Sequence, residues 1–150
     1  MYSIIQGISM KKIIASGTFD RLHEGHRFFL KTAFKYGYVL IGLTSDEMTK
    51  NKKYADRIWG FEKRKNCIKK FLGSLGYKEG KDYEIIKIND KYGFSLEKKA
   101  DYILVTEETY ENAQDINKER KKLDLEELKI IKIDFITDRE GRISSTKLRS

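Results

Sequence analysis

The stretch GTFDRLHEGH, residues 17–26, decides the fold that this chain is expected to adopt. It overlaps the end of the apolar run KKIIASG (11–17), whose β-branched residues predict a buried strand that ends at Gly17. The segment HEGH then opens a helical pattern, and His26 shares its apolar face. A strand that passes through a glycine and a hydroxyl into the start of a helix is typical of phosphate sites in α/β sheets.

Four more apolar runs predict strands, at residues 38–45, 83–90, 101–108 and 128–135. Helical patterns lie between the runs. Strands that alternate with helices imply right-handed crossovers and a sheet that is covered on both sides. The sequence therefore predicts a single-domain, Rossmann-like α/β fold with a five-stranded, mostly parallel sheet and helices on both faces.

Length and charge limit the choices further. The chain has 150 residues, which suits one domain over 11–150, preceded by an extension over 1–10 that is a short strand, a frayed tail or residues upstream of the usual start. Lys and Arg number 31 against 23 Asp and Glu, and the net charge of +8 favours anionic partners such as nucleotides, nucleic acid or lipid headgroups. The alternative is a solvated surface of interleaved charges.

Cysteine content and hydropathy indicate the compartment. The single Cys67 excludes an internal disulfide and suits a reducing environment. No apolar run approaches the roughly 20 residues that cross a bilayer. We therefore expect a cytoplasmic protein without a membrane partner.

The loop after the first strand offers the groups that hold phosphates. Gly17 lets a ligand approach the backbone, Thr18 supplies a hydroxyl and an N–H, and Asp20 can brace the loop through local backbone amides. His23 and His26 fall on one side of the first helical turn, where the helix N-terminus attracts anions. Either histidine could instead be a packing residue. A zinc site is not predicted, because the chain has two histidines, one distant cysteine and no HExxH pattern.

The segment ISSTKLRS, residues 143–150, is a second candidate phosphate-binding region. Ser144, Ser145 and Thr146 can cap a helix N-terminus, and with Lys147 and Arg149 they could hold a departing pyrophosphate. The alternative is a capped, solvated terminal helix.

The middle of the chain adds candidate substrate contacts. Lys50 and Lys53 lie in a basic run after the second strand, as clamps on a transferring phosphoryl group or as an ordinary surface loop. Thr106, Asn117 and Arg120 follow the fourth strand and are expected near the same sheet edge. The last two could equally be ordinary helix-surface residues.

GTFDRLHEGH resembles the GTFDxxHxGH signature of the cytidylyltransferase-like nucleotidyltransferases, whose histidines hold nucleotide phosphates. ISSTKLRS is similar to their ISSTxxR segment. Together with IGLTSDEMTKNKK and VTEETYENAQDINKERKK, these motifs resemble the archaeal type of phosphopantetheine adenylyltransferase. That family joins ATP and 4′-phosphopantetheine to give dephospho-CoA and pyrophosphate, usually with Mg²⁺.

The resemblance implies a set of site residues. His23, His26, Lys50 and Lys53 are expected to be catalytic, and Thr18, Lys50, Asn117 and Arg120 to bind the acceptor substrate. The nucleotide-binding residues that it implies are Gly17, Thr18, Phe19, Asp20, His23, Gly25, His26, Thr106, Ser144, Ser145, Thr146 and Arg149. No metal-ligating side chain is implied.

Other functions remain open at this point. CTP-dependent transfer to an alcohol phosphate such as glycerol 3-phosphate, or adenylylation of FMN, would use the same loop, because the loop contacts phosphates and not the base. A basic RNA-binding domain is the alternative outside enzymes. The chain lacks an RNP-like aromatic pattern and a KH-type GxxG loop, so a nucleic-acid partner is not favoured.

Overall fold

The computed structural model describes residues 11–50, 55–97, 99–137 and 143–149, with side chains described up to Ile133. The predicted extension over 1–10 lies outside the described residues. The strands are β1 Lys12–Gly17, β2 Tyr38–Thr44, β3 Tyr83–Ile88, β4 Tyr102–Val105, β5 Lys129–Thr137 and β6 Ile143–Arg149. The helices are α1 Glu24–Ala33, α2 Asp46–Thr49, α3 Phe61–Ser74 and α4 Tyr110–Lys122, with a short 3₁₀ turn at Ala55–Arg57.

The strands form one sheet in the order β3-β2-β1-β4-β5-β6. The first five in this order are parallel, which confirms the α/β fold and the five strands predicted from the sequence. β6 is antiparallel to β5 and adds a sixth strand at the edge. The predicted helix over the C-terminal segment is therefore wrong. The physical reason is that the free edge of β5 offers unpaired backbone groups, which 143–149 satisfy by pairing.

Both faces of the sheet are buried against helices, as the apolar strand runs predict. Alternate residues of β1 show this, since Ile13 and Ala15 join one core cluster while Ile14 joins the other. Residues of α1 and α3, such as Leu30 and Ile68, complete the first cluster. The second cluster includes members of α4.

The strand order creates a crevice at the carboxyl end of β1. The chain proceeds outward from β1 through β2 to β3, then returns to the other side of β1 for β4 and β5. The connections after β1 and β4 thus diverge, which is where ligands bind in open parallel sheets. Gly17 and Thr106 flank this point.

Asn117 and Arg120 hold α4 to the chain on either side of it. The Asn117 amide accepts from Leu128 N at 2.7 Å and donates to Leu128 O at 2.9 Å. Arg120 donates from Nε to Glu126 O and from Nη1 to Ser95 O, both at 2.7 Å. Both residues are buried, not exposed on the helix surface as one alternative had it. Backbone groups of Leu128, Glu126 and Ser95 are the hydrogen-bond partners of these two side chains, and their assignment as contacts to the acceptor substrate stays a prediction.

None of the helices in the described ranges is both long and apolar enough to cross a membrane.

Replacing Asn117 by Ala should lower the free energy of unfolding by about 2–4 kcal/mol, because the Leu128 N–H and carbonyl would lose their buried partners. Urea unfolding measures this change. Asn112→Ala is the matched control, since the Asn112 amide makes one exposed bond, to Lys91 O. The control should cost less than about 1 kcal/mol. Equal costs for the two variants would contradict this account of Asn117.

Candidate active site

The loop after β1 is built around the ring of Phe19. Phe19 is buried and takes a left-handed backbone conformation, with φ of 49°. Its ring lies edge-on to the His26 imidazole, with 5.6 Å between the ring centroids. A Cβ at Gly17 would lie 3.2 Å from the Phe19 ring, so a larger residue would require that ring to shift by a few tenths of an ångström.

Asp20 braces the loop, as the sequence predicts, but through a distant partner. Its Oδ1 accepts from the Trp59 backbone N–H at 3.0 Å, 39 residues along the chain. Its Oδ2 pairs with Arg21 Nη1 at 2.6 Å. The carboxylate therefore joins the loop to the segment that precedes α3.

His23 and His26 lie together at the start of α1. His23 is the N-cap residue, and its Nδ1 accepts from Gly25 N at 3.0 Å. The His23 N–H in turn donates to His26 Nδ1 at 3.4 Å, which completes a capping box made of two imidazoles. The rings are stacked with their centroids 3.8 Å apart. This arrangement confirms the predicted helix start.

The two backbone bonds determine which ring nitrogen carries the proton. A neutral imidazole has one N–H donor and one acceptor nitrogen. Because Nδ1 accepts a backbone bond in both histidines, the proton of the neutral ring resides on Nε2. Each imidazole can then donate from Nε2 to a phosphate oxygen without carrying a positive charge.

His26 is shifted strongly toward the neutral form. Its pKa is lowered from 6.5 to about 4, mainly by burial and next by the neighbouring His23, while Asp20 acts in the opposite direction. A bound triphosphate would raise the pKa of His26 again, since nearby negative charge favours the imidazolium. The free protein thus presents a neutral donor at this position.

Arg64 connects the loop after β1 to the end of β2. Its side chain is fully buried and donates from Nε to Trp59 O at 2.7 Å. Nη1 donates to Thr18 O at 3.1 Å and to Thr44 Oγ1 at 3.2 Å, while Nη2 pairs with Asp46 Oδ1 at 3.2 Å. The sequence presents Arg64 only as one of the basic residues between the two motifs. Thr44 could have been predicted to lie beside this loop, because β1 and β2 are parallel and neighbouring strands and Thr44 ends β2.

A cluster of cations and an aromatic ring lies beside this loop and was missed by sequence reasoning. The Arg21 guanidinium carbon lies 4.8 Å from the centre of the Trp59 ring, and the Lys63 Nζ lies 3.9 Å from it. Because Trp59 also donates its N–H to Asp20, both cations are held near the histidine loop. They contribute positive potential where an anionic ligand would approach.

The remaining predicted residues are less closely gathered. Lys50 is the C-cap residue of α2, and its exposed Nζ pairs with Glu47 Oε1 at 3.2 Å. Lys53 lies outside the described residues. Thr106 directly follows β4, where its N–H bonds to Thr109 Oγ1 at 3.1 Å.

The C-terminal segment forms the edge of the sheet. Ser144, Ser145, Thr146 and Arg149 all lie on β6, which pairs with β5 and is three strand positions from β1 in the sheet order. Their assignment to the nucleotide phosphates stays a prediction.

A cavity of about 440 Å³ lies between α4 and β5. Tyr110, Asn117, Leu128 and Lys132 are among its lining residues. None of the loop residues 17–26 lines it, so the phosphate-binding groups and this cavity are distinct features of the fold.

The family model described as Cytidylyltransferase-like matches residues 14–150. This chain belongs to the cytidylyltransferase-like family. The family model covers the histidine loop, the sheet and the C-terminal segment, so the similarity first noted in the GTFDRLHEGH and ISSTKLRS motifs extends over nearly the whole chain.

Within the cytidylyltransferase-like family, this chain is similar to several archaeal phosphopantetheine adenylyltransferases. The phosphopantetheine adenylyltransferase of Pyrococcus furiosus is 45% identical over 143 residues, which is 93% of this chain and 88% of the relative. That of Thermococcus gammatolerans is 44% identical over the same shares.

Solved structures agree with this fold. A crystal structure of a protein of unknown function from Archaeoglobus fulgidus matches with a TM-score of 0.71 and 35% identity, over 81% of this chain and 87% of that one. The lipopolysaccharide core biosynthesis protein of Thermoplasma volcanium has a TM-score of 0.60 at 22% identity, over 83% of this chain and 96% of its own. The second shows the cytidylyltransferase-like fold alone.

Acid should destabilise the fold partly through His26. The unfolded chain takes up a proton as the pH falls below 6.5, whereas folded His26, with its pKa of about 4, does not. The free energy of unfolding therefore decreases as the pH falls from 6.5 to 4. Below about pH 4 His26 is protonated in both states, so it causes no further loss. Urea unfolding at pH 7 and 4.5 should show a larger loss for the wild type than for His26→Gln, which cannot titrate. Identical losses would contradict the shifted pKa.

Proposed function

We propose that this chain transfers the adenylyl group of ATP to 4′-phosphopantetheine, giving dephospho-CoA and pyrophosphate in coenzyme A synthesis. The observation that carries the proposal is the pair of imidazoles at the start of α1, each with Nε2 available as a donor. They lie at the point where the sheet connections diverge, which favours a nucleotide phosphate site. The names of the curated relatives support the choice of ATP and 4′-phosphopantetheine as substrates.

The reaction needs no nucleophile from the protein. An oxygen of the acceptor's phosphate attacks the α-phosphorus of ATP and forms the new P–O bond. The bond from the α-phosphorus to the bridging oxygen breaks, and its electron pair leaves with pyrophosphate. Catalysis of such a transfer consists of positioning and charge stabilisation.

The loop residues divide this work. His23 and His26 donate from Nε2 to the ATP phosphates, and Thr18 orients the attacking phosphate. Gly17, Phe19, Asp20 and Gly25 shape the nucleotide side of the loop, with Thr106 across the crevice. Phe19 does so by packing against His26, and Gly25 by holding His23 through its N–H.

The more distant residues stay predictions. Lys50 and Lys53 are proposed to stabilise the charge that develops on the transferring phosphoryl group in the transition state. Ser144, Ser145, Thr146 and Arg149 are proposed for the pyrophosphate end, on the similarity of ISSTKLRS to the ISSTxxR segment of the family.

We also propose that ATP is used as its magnesium complex. Among the described residues, no three His, Cys, Asp or Glu side chains are grouped in a way that could hold a metal ion. The support for this proposal is general chemistry, because Mg²⁺ is commonly bound through the phosphates of a nucleotide substrate and only one or two carboxylates. The proposed compartment is the cytoplasm, where a free Cys67 persists.

The direct test is pyrophosphate release from purified protein with each nucleotide and acceptor. We expect turnover with ATP and 4′-phosphopantetheine, and little with CTP and glycerol 3-phosphate or with ATP and FMN. Faster turnover with either of the latter pairs would reassign the acceptor within the family. RNA binding with a steep salt dependence and no pyrophosphate release from any pair would contradict an enzymatic function.

His26→Ala should lower kcat/KM at least about ten-fold with the fold intact, because a donor to the phosphates is lost from a preorganised site. His26→Gln should recover part of the rate, since its amide can place an N–H near the position of Nε2. Steady-state pyrophosphate release and circular dichroism give the two readouts.

The control is Lys31→Ala, which removes a positive charge from the exposed last turn of the same helix. It should leave the rate within about two-fold, as is usual for a surface charge. An unchanged rate for His26→Ala would remove His26 from the mechanism.

A further inference from the structure

The buried, positively charged guanidinium of Arg64 is fixed in one position by its hydrogen-bond partners. All three of its nitrogens donate to a partner, and the Asp46 carboxylate balances the charge. Asp46 Oδ1 is itself fixed, because it also accepts from the Phe61 N–H at 2.9 Å. Displacing the guanidinium would leave a buried charge without partners, so the position of Nη1 is strongly determined.

The direction of the hydrogen bonds from Arg64 follows from their chemistry. A guanidinium only donates, so the Thr44 hydroxyl must accept from Nη1. Thr44 is buried and has a single hydroxyl proton, which it donates to Thr18 Oγ1 at 3.0 Å. Thr18 Oγ1 is thereby an acceptor for Thr44.

The proton of Thr18 is left for a ligand. Within the described part of the chain, the structure shows Thr18 Oγ1 accepting from Thr44 and shows no acceptor for its own proton. The Thr18 carbonyl is fixed at the same time, since Arg64 Nη1 donates to it. Both the backbone and the hydroxyl of Thr18 are therefore set by the same buried cation.

We propose that Thr44 and Arg64 are positioning residues that direct the Thr18 hydroxyl proton toward the phosphate of the acceptor substrate. This inference rests on the proposed function, in which Thr18 orients the attacking phosphate. The relay from Arg64 through Thr44 to Thr18 holds the donor in place before the acceptor arrives. No reorientation of the hydroxyl is then needed in the transition state.

The relay predicts a change on the acceptor side of the kinetics. Thr44→Val keeps the shape of the side chain but removes the hydroxyl, so Thr18 no longer has a fixed donor behind it. We expect kcat/KM for the acceptor to fall about ten-fold, the size of one well-placed hydrogen bond. The KM for ATP should stay within about two-fold, because the histidines contact the ATP phosphates.

A double-mutant cycle separates this relay from a merely structural effect. Thr44→Val should cost about ten-fold in the wild type but less than about two-fold in a Thr18→Val background, because the hydroxyl that it directs is already absent. Thr44→Ser should restore most of the rate, since it retains the hydroxyl. Thermal unfolding of each variant shows that it is folded, and Thr44→Ala replaces Thr44→Val should the latter not fold.

Thr32→Val is the matched control. Thr32 is also a buried threonine, and its hydroxyl bonds within α1 to the Phe28 carbonyl at 2.8 Å. This variant removes the same chemical group without contact to Thr18, and its rate should stay within about two-fold.

The outcomes distinguish the relay from the proposed function. The relay alone is contradicted if the wild type is active and Thr44→Val does not lower its rate. It is also contradicted if Thr44→Val lowers the rate by the same factor in the wild type and in the Thr18→Val background. An active wild type that prefers another phosphate-bearing acceptor changes the proposed substrate, and the same cycle run with that acceptor tests the relay. If the wild type releases no pyrophosphate with any of the acceptors tested, both the relay and the proposed function are overturned.

Discussion

Two backbone amides at the start of α1 determine the chemistry of this site. By donating to Nδ1 of His23 and of His26, they fix the proton of each neutral imidazole on Nε2. In their neutral forms the stacked rings then present two Nε2 donors at a helix N-terminus, where the helix dipole disfavours imidazolium and favours anions. His26, whose pKa is lowered mainly by burial, is neutral there until a polyphosphate supplies compensating charge.

The rest of the fold keeps this helix start in place. The loop that precedes it is held from one side by Phe19 in the core and from the other by Asp20, bonded to the Trp59 N–H. Arg64 fixes the backbone of Thr18 to the ends of β2 and of the segment before α3. Three chain segments therefore converge at the carboxyl edge of β1, at the crevice that the strand order creates.

Much of this could be predicted from the sequence because it depends on short-range patterns. The five parallel strands follow from apolar runs of strand length, and the start of α1 follows from the order of Gly17, Thr18, His23 and His26. Membership of the cytidylyltransferase-like family follows from the same residues.

What the sequence did not yield depends on contacts between distant residues. Asp20 bonds to Trp59 and not to local amides, and Arg64 is buried although it lies in a run of charged residues. Asn117 looks like a surface residue until its partner Leu128, eleven residues away, is known. The segment 143–149 carries the small hydroxyl residues of a helix cap but pairs with β5, because a free strand edge competes with helix formation.

The most direct test is nitrogen NMR of the two histidine side chains near neutral pH, with and without ATP. We expect the neutral form of each ring to carry its proton on Nε2 in the free protein, and ATP to shift the Nε2 signals of both. A neutral ring with its proton on Nδ1 in the free protein, or Nε2 signals that ATP leaves unchanged, would contradict this account.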